Sequence, residues 1–289
     1  MARDPFRLTM PAHVSSPVVA SSPHSGRDYD WAFIASTVLD RKVIRSSEDA
    51  FVDLLLRDVP DVGVPLIAAA VPRAYVDLNR AEGELDPALV RDVPKGGVNP
   101  RVSSGLGVIP RVVAQGRAIY RGKISRDEAR ARIEGAWRPY HDALRGLLDD
   151  ARAAWGRSVL LDVHSMPHEA IDGVAPKGRA PEIVLGDRFG ASAAPLLVDV
   201  VEETFLALGF RVARNAPFAG AYIAQAYGDP AAGRHVVQIE IDRALYMDES
   251  RMAMTPGAAR VRDALTEVVA RVGHAASGGS LDVTAVAAE

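Results

Sequence analysis

Two histidines occupy positions from which side chains can do chemistry. In Val159-Leu160-Leu161-Asp162-Val163-His164-Ser165 a short apolar run stops and His164 appears at its end. In Pro17-Val18-Val19-Ala20-Ser21-Ser22-Pro23-His24-Ser25-Gly26 a similar run is followed by His24. Buried parallel strands read as apolar runs bounded by turn residues, and ligands of open α/β sheets bind beyond the carboxyl ends of such strands. Two imidazoles delivered there, joined by one carboxylate, would hold a metal ion and leave a coordination position for water. Metal-assisted hydrolysis is the chemistry this arrangement predicts.

The third donor would come from Ser46-Ser47-Glu48-Asp49-Ala50-Phe51-Val52-Asp53, where Glu48, Asp49 and Asp53 are available. A serine ahead of an acidic pair and an apolar stripe is also how a helix begins, and that reading does not exclude ligation. Asp162 lies two residues before His164, on the same side of a strand, and could orient it. The five other histidines fit other roles. His13 and His274 are near the ends, His141 belongs in a helix as a packed residue, and His235 opens a strand. His168 follows His164 by four, but Pro167 argues against a helix placing both on one face.

The run His235-Val236-Val237-Gln238-Ile239-Glu240-Ile241-Asp242 alternates, with Gln238, Glu240 and Asp242 on one side and Val237, Ile239 and Ile241 on the other. A half-exposed edge strand would produce this pattern. In a covered α/β sheet the same polar row must face a site or suffer desolvation. Glu240 is the candidate general base, able to take a proton from metal-bound water and pass it to a leaving amine. Val76-Asp77-Leu78-Asn79-Arg80 closes another strand-like region, and the fork of Arg80 suits a planar carboxylate. A surface ion pair would need the same residues. Asn215-Ala216-Pro217-Phe218-Ala219-Gly220-Ala221-Tyr222 reads as a loop that could line a pocket or only turn the chain.

Positioning these groups takes alternating elements. Strands are predicted at 17–22, 64–71, 158–163, 182–185 and 235–241, and the helices between them are the mark of a layered α/β domain. A long helix is predicted over 126–155, opened by a capping box at Ser125 and Glu128 and kinked or split at Pro139. Others are predicted over 193–208, ending at Gly209, and from Pro256 to about 272. Residues 86–124, punctuated by proline and glycine, are either a functional segment or a floppy insertion. The tail at 273–289 is expected to be poorly ordered. With no repeat and no evident linker, the 289 residues are expected to form one hydrolase domain.

Composition narrows the chemistry further. The chain has no cysteine, which removes disulfides, thiolate metal sites and a thiol nucleophile together. A net charge of −3 suggests no nucleic-acid partner. No run is long and apolar enough for a membrane span, and no apolar signal core follows the first residues, so a cytoplasmic protein is expected.

Taken together, these pieces resemble the N-formylglutamate amidohydrolase (N-formylglutamate deformylase) family. The shared segments are Pro23-His24-Ser25-Gly26, Glu48-Asp49 with Val52-Asp53, Tyr75-Val76-Asp77-Leu78-Asn79-Arg80, Ile119-Tyr120-Arg121, Trp137-Arg138-Pro139-Tyr140-His141, Asp162-Val163-His164-Ser165, Gly220-Ala221-Tyr222-Ile223 and the stretch from Gln238 to Glu249. They run in order over nearly the whole chain. The resemblance implies a three-layer α/β/α fold with a mixed sheet of about eight strands, similar to zinc-dependent carboxypeptidases and aspartoacylases. It implies hydrolysis of the N-formyl amide of an acidic amino acid, N-formyl-L-glutamate first, as in histidine degradation. His24, His164 and one acid of the Glu48/Asp49 pair, Asp49 in preference, would hold zinc, though manganese, iron or cobalt suit the same donors. Glu240 would be the base and Arg80 would help stabilise the oxyanion. Arg80 and Arg243 would hold substrate carboxylates, with Asn79, Tyr222 and Asn215 beside them. The small-molecule substrate is the implied partner, and the oligomeric state stays open. Where histidine-degrading deformylases look like Asp-Trp-His-Val-Asp, this chain has Glu48-Asp49-Ala50-Phe51-Val52-Asp53. That departure keeps three alternatives open: deacylation of another N-acyl amino acid, carboxypeptidase action, and a module that binds dicarboxylates without cleaving them.

Overall fold

The computed structural model describes residues 4–94, 99–171 and 180–278. Seven strands, β1 (Phe6–Thr9), β2 (Val18–Ser22), β3 (Leu66–Ala69), β4 (Ser158–Met166), β5 (Ile183–Gly186), β6 (Val212–Arg214) and β7 (Arg234–Asp242), hydrogen-bond in the order β1-β3-β2-β4-β7-β5-β6. The β2–β4, β4–β7 and β5–β6 pairs are parallel and β5–β7 is antiparallel, so the sheet is mixed as expected. Among the described residues it has seven strands, against the expected eight or so; Met247–Asp248 and Ala253–Met254 form a separate two-stranded ribbon. Flanking helices are α1 (Trp31–Ser36), α2 (Val52–Leu55), α3 (Pro100–Ser103), α4 (Arg126–Arg132), α5 (Arg138–Trp155), α6 (Pro195–Ala207), α7 (Tyr222–Tyr227) and α8 (Gly257–Ser277). No described helix is long and apolar enough to cross a membrane.

The described residues form two compact units, one within Met1–Leu8, Ser22–Asp53 and Ile67–Arg145, the other within Thr9–Ser21, Leu54–Leu66 and Gly146–Glu289. In the first, Phe33, Ile44, Ala74, Val113 and Ile119 build a core with Tyr29, Tyr75 and Tyr120 packed on it. Arg132 lies over the rings of Phe33, Tyr75 and Tyr120 and donates to the Tyr120 hydroxyl at 2.6 Å. Val113 and Ile119 belong to the segment 86–124, and Leu89, Val90, Val108 and Ile109 from the same segment are also buried. The described part of that segment is therefore packed structure rather than a floppy insertion; residues 95–98 lie outside the described residues.

The long helical stretch changes geometry where proline demands it. Between α4 and α5 the chain makes a π-helical turn, Ile133–Trp137, in which the Arg138 N–H reaches the Ile133 carbonyl. Pro139 has no N–H, and its ring would crowd the carbonyl four residues back in an α-helix; the wider turn just upstream absorbs both. Ser125 caps α4 through the Glu128 N–H at 3.0 Å, but the Glu128 carboxylate goes to Arg132 rather than back to the cap amide.

In the second unit β4 and β7 carry the buried strand surface. All nine residues of β4 are buried, and all of β7 except Arg234. Two sequence expectations change here. His164 lies inside β4, not after it, because pairing with β7 continues to Met166 opposite Asp242. β7 is no edge strand: it runs between β4 and β5, so its polar row is held inside protein. Helix α6 ends as expected at Gly209 (φ +77°), where the Phe210 N–H returns to the Phe205 carbonyl at 3.0 Å. Helix α8 extends through Ser277, against the expected disorder from 273. A Cβ on Gly273 would sit 3.0 Å from Ser16 Oγ, so the bare backbone of the helix lies against Ser16. The rest of that expectation, 279–289, lies outside the described residues.

His235, near the start of β7, accepts from the Ala194 N–H through Nδ1 at 3.3 Å. Burial, aided by the charge of Arg157, holds its pKa below the ordinary 6.5. The folded pKa being the lower one, the unfolded chain binds more protons than the native chain between it and about 6.5. Stability therefore rises with pH through that window and is lost as pH falls through it. Thermal melts from pH 7 to 5 are expected to lose more Tm in the wild type than in His235→Gln; parallel losses would contradict this.

Candidate metal centre

In the first unit the site is built around a turn pressed against backbone. After β2 ends at Ser22, Ser22 Oγ donates to Ser25 Oγ at 2.9 Å, and Gly26 meets the 70–71 peptide so closely that a Cβ would stand 1.9 Å from the Val71 carbonyl oxygen. Only glycine fits there. The turn fixes His24, whose carbonyl accepts from the Asp49 N–H at 3.0 Å. Asp49 Oδ2 then lies 3.4 Å from His24 Nδ1. On the opposite side of the ring, His24 Nε2 meets Asp77 Oδ1 at 2.7 Å. Asp77 also accepts from Arg73 Nε at 2.9 Å and from the Asn79 N–H at 2.9 Å. Burial alone would raise the Asp77 pKa, but the charge of Arg73 and the hydrogen bond with His24 outweigh it and hold the carboxyl well below the usual range.

The acidic pair divides. The buried Glu48 carboxylate accepts from Arg45 Nε and Nη2 at 3.0 Å each and from the Tyr29 hydroxyl at 2.7 Å. Asp49 takes the place beside His24. Arg80 is buried too: its Nε donates to the Leu106 carbonyl at 2.9 Å and its Nη1 to that of Asn79 at 3.0 Å. Burial lowers its pKa, with the Asp77 charge opposing.

In the second unit the sheet register aligns a polar face. Asp162 pairs with Gln238, and His164 with Glu240, on adjacent parallel strands. Residues two apart share a face, so these four side chains form one patch. Asp162 Oδ2 meets His164 Nε2 at 3.0 Å, and Ser21 Oγ donates to Asp162 Oδ1 at 2.6 Å. Gln238 Nε2 donates to Glu240 Oε1 at 2.9 Å. Asp242, farther along the row, meets His168 Nδ1 at 2.8 Å. Arg243 Nε donates to Ser165 Oγ at 3.1 Å. Tyr222 opens α7 directly after the loop at Gly220. The Asn215 amide serves another loop, donating to Asp187 Oδ1 at 2.6 Å and accepting from the Asp187 N–H at 3.1 Å.

His24, Asp49 and His164, all buried, each offer one donor atom, and these atoms lie within 4.8 Å of one another. Each imidazole turns Nε2 to a buried aspartate. A ring whose Nε2–H is donated to a carboxylate keeps its lone pair on Nδ1, which is how metal-binding histidines are commonly oriented. Two nitrogens and one carboxylate oxygen fit a divalent cation with a position left for water. Asp77→Asn is expected to weaken zinc binding roughly ten- to hundredfold, measured by competition with a chelating dye. Unchanged affinity would reduce Asp77 to a packing role.

Nothing in the order of residues links Asp77 to His24, because their contact spans 53 residues. The signals for Asp77 were its place between the apolar Val76 and Leu78 and within the family-like segment Tyr75–Arg80. Arg45 and Tyr29, which occupy Glu48, gave none.

Comparison with known proteins adds an independent finding. Residues 16–247 match the family described as N-formylglutamate amidohydrolase. An N-formylglutamate deformylase of Pseudomonas putida is 30% identical over 241 residues, covering 81% of this chain and 83% of that protein. One from Pseudomonas aeruginosa matches to the same extent, 30% over 241 residues. The crystal structure of N-formylglutamate amidohydrolase from Ralstonia eutropha JMP134 superposes with a TM-score of 0.88 at 35% identity, covering 95% of this chain and 99% of that one. A gene product of Agrobacterium tumefaciens, at 16% identity and a TM-score of 0.64 over 93% of this chain and 95% of its own, shares the fold.

Proposed function

The chain belongs to the N-formylglutamate amidohydrolase family, and on that premise we propose that it hydrolyses N-formyl-L-glutamate to formate and L-glutamate with the help of one divalent cation, zinc in first place. The observation that carries the reading is the buried group of His24, Asp49 and His164 with donor atoms within 4.8 Å. These three residues would hold the cation. When bound, it supplies a Lewis acid that polarises the formyl oxygen and acidifies water.

The chain's own residues do the rest. Asp77 and Asp162 orient the two imidazoles. Glu240, paired in register with His164 and buried, takes the proton of the attacking water and returns it to the departing amine. Arg80 is a desolvated cation on a rigid stem; it gains from a substrate carboxylate or a developing oxyanion, since charge–charge attraction is stronger where water is excluded. Arg243, fixed by Ser165, holds the second carboxylate, with Asn79 and Tyr222 beside the substrate. Asn215 contributes by bracing the Asp187 loop. The reading extends to a cytoplasmic enzyme of histidine degradation.

The test is formate release from N-formyl-L-glutamate by the purified protein, before and after chelation and after zinc is restored. Chelator-sensitive release that returns with zinc supports reaction, substrate and cation together. No formate from metal-loaded protein would overturn the substrate assignment.

A further inference from the structure

We propose that Gln238 is a positioning residue that fixes the Glu240 carboxylate and ties it to the 219–222 loop, an inference that rests on reading Glu240 as the base. The argument starts at Gly186, which lies opposite Gln238 in the β5–β7 register. A Cβ on Gly186 would stand 2.6 Å from the Gly220 nitrogen and 2.7 Å from the Ala219 carbonyl carbon. The loop backbone therefore lies directly on the sheet, which only a glycine at 186 permits. Gly220, at φ +104°, turns the next amide, and the Ala221 N–H donates to Gln238 Oε1 at 3.0 Å.

That contact decides which way the glutamine amide faces. A backbone N–H can be accepted only by the amide oxygen, so Nε2 is the atom left toward Glu240, whose Oε1 accepts it at 2.9 Å. A flipped amide would set its oxygen against the carboxylate and its NH2 against the Ala221 N–H, so both partners favour the same orientation. Ala221 is the residue before α7, and no side chain caps that helix from the Ala221 position. Gln238 thus joins the start of the helix bearing Tyr222 to the orientation of Glu240.

The experiment measures kcat and KM for formate release by zinc-loaded Gln238→Met, Gln238→Glu, Glu240→Gln and the Gln238→Met/Glu240→Gln double variant, with bound zinc and Tm recorded for each. Methionine keeps the volume and removes both hydrogen bonds. Glutamate keeps an acceptor for Ala221 but loses the donor toward Glu240. Both single variants at 238 are expected to lose roughly ten- to hundredfold in kcat, the usual worth of a hydrogen bond to a charged group, with zinc content and KM little changed. In the Glu240→Gln background, Gln238→Met should cost no more than about twofold, since the partner it acts through is gone. A crystal structure of Gln238→Met should show the Glu240 carboxylate rotated. Wild-type kcat in either 238 variant, an unmoved Glu240, or an undiminished loss in the double variant overturns the proposal. Wild-type turnover in Glu240→Gln alone would instead overturn the base assignment.

Discussion

Glu240→Gln is expected to lower kcat by roughly 10²- to 10⁴-fold, the usual contribution of a positioned general base, while zinc stoichiometry and Tm hold. The expectation follows from where the sheet puts this carboxylate. It is buried on a strand between two others, in register with His164 on one side and Val184 on the other. The amide is nearly isosteric, and its oxygen can still accept from Gln238 Nε2. What is lost is the capacity to take a proton. Steady-state formate release across substrate concentration separates this from a binding defect: kcat should fall with KM within a few-fold. A variant turning over within about tenfold of wild type would place the base elsewhere, because ten is below what such a base supplies.

The second large effect separates two adjacent acids. Asp49→Asn should cost at least roughly hundredfold in zinc affinity, more than the substitution of a residue that merely orients a ligand, and turnover should fall with occupancy. Glu48→Gln should leave zinc affinity unchanged and reduce stability instead. Its carboxylate is buried and engaged by Arg45 and Tyr29. Removing one partner of a buried pair costs about 3–5 kcal/mol, but the Arg45 side chain is 29% exposed, and solvent screening brings the expectation to about 1–3 kcal/mol. Competition titration for zinc and urea unfolding of the two variants would show opposite patterns. Zinc affinity lost in Glu48→Gln and kept in Asp49→Asn would reverse the assignment.

Part of this molecule is legible in the chain itself. Apolar runs ending near His24 and His164 marked two strands that are buried and paired in parallel, because strand burial leaves a signature two or more residues long in local composition. The alternation through Gln238, Glu240 and Asp242 marked one polar face, because strand side chains alternate whatever surrounds them. Gly209 and Pro139 acted where expected, since their effects on backbone geometry are intrinsic. The absence of cysteine limited any metal donors to nitrogen and oxygen.

Other features had to wait for the fold. Whether the polar face of residues 235–242 met solvent or protein depended on which strands flank it, and strand order is a global property: β5, lying between β4 and β7 in sequence, pairs on the far side of β7. Which of Glu48 and Asp49 lies beside His24 depended on Arg45 and Tyr29, whose pull on Glu48 has no trace in the order of residues. Asp77 became the partner of His24 across 53 residues. Sequence thus determined which side chains share a strand face or a turn, since those follow from backbone periodicity. Tertiary structure alone decided which buried charges meet, because desolvation penalises each of them until a partner distant in the chain is brought within hydrogen-bonding reach.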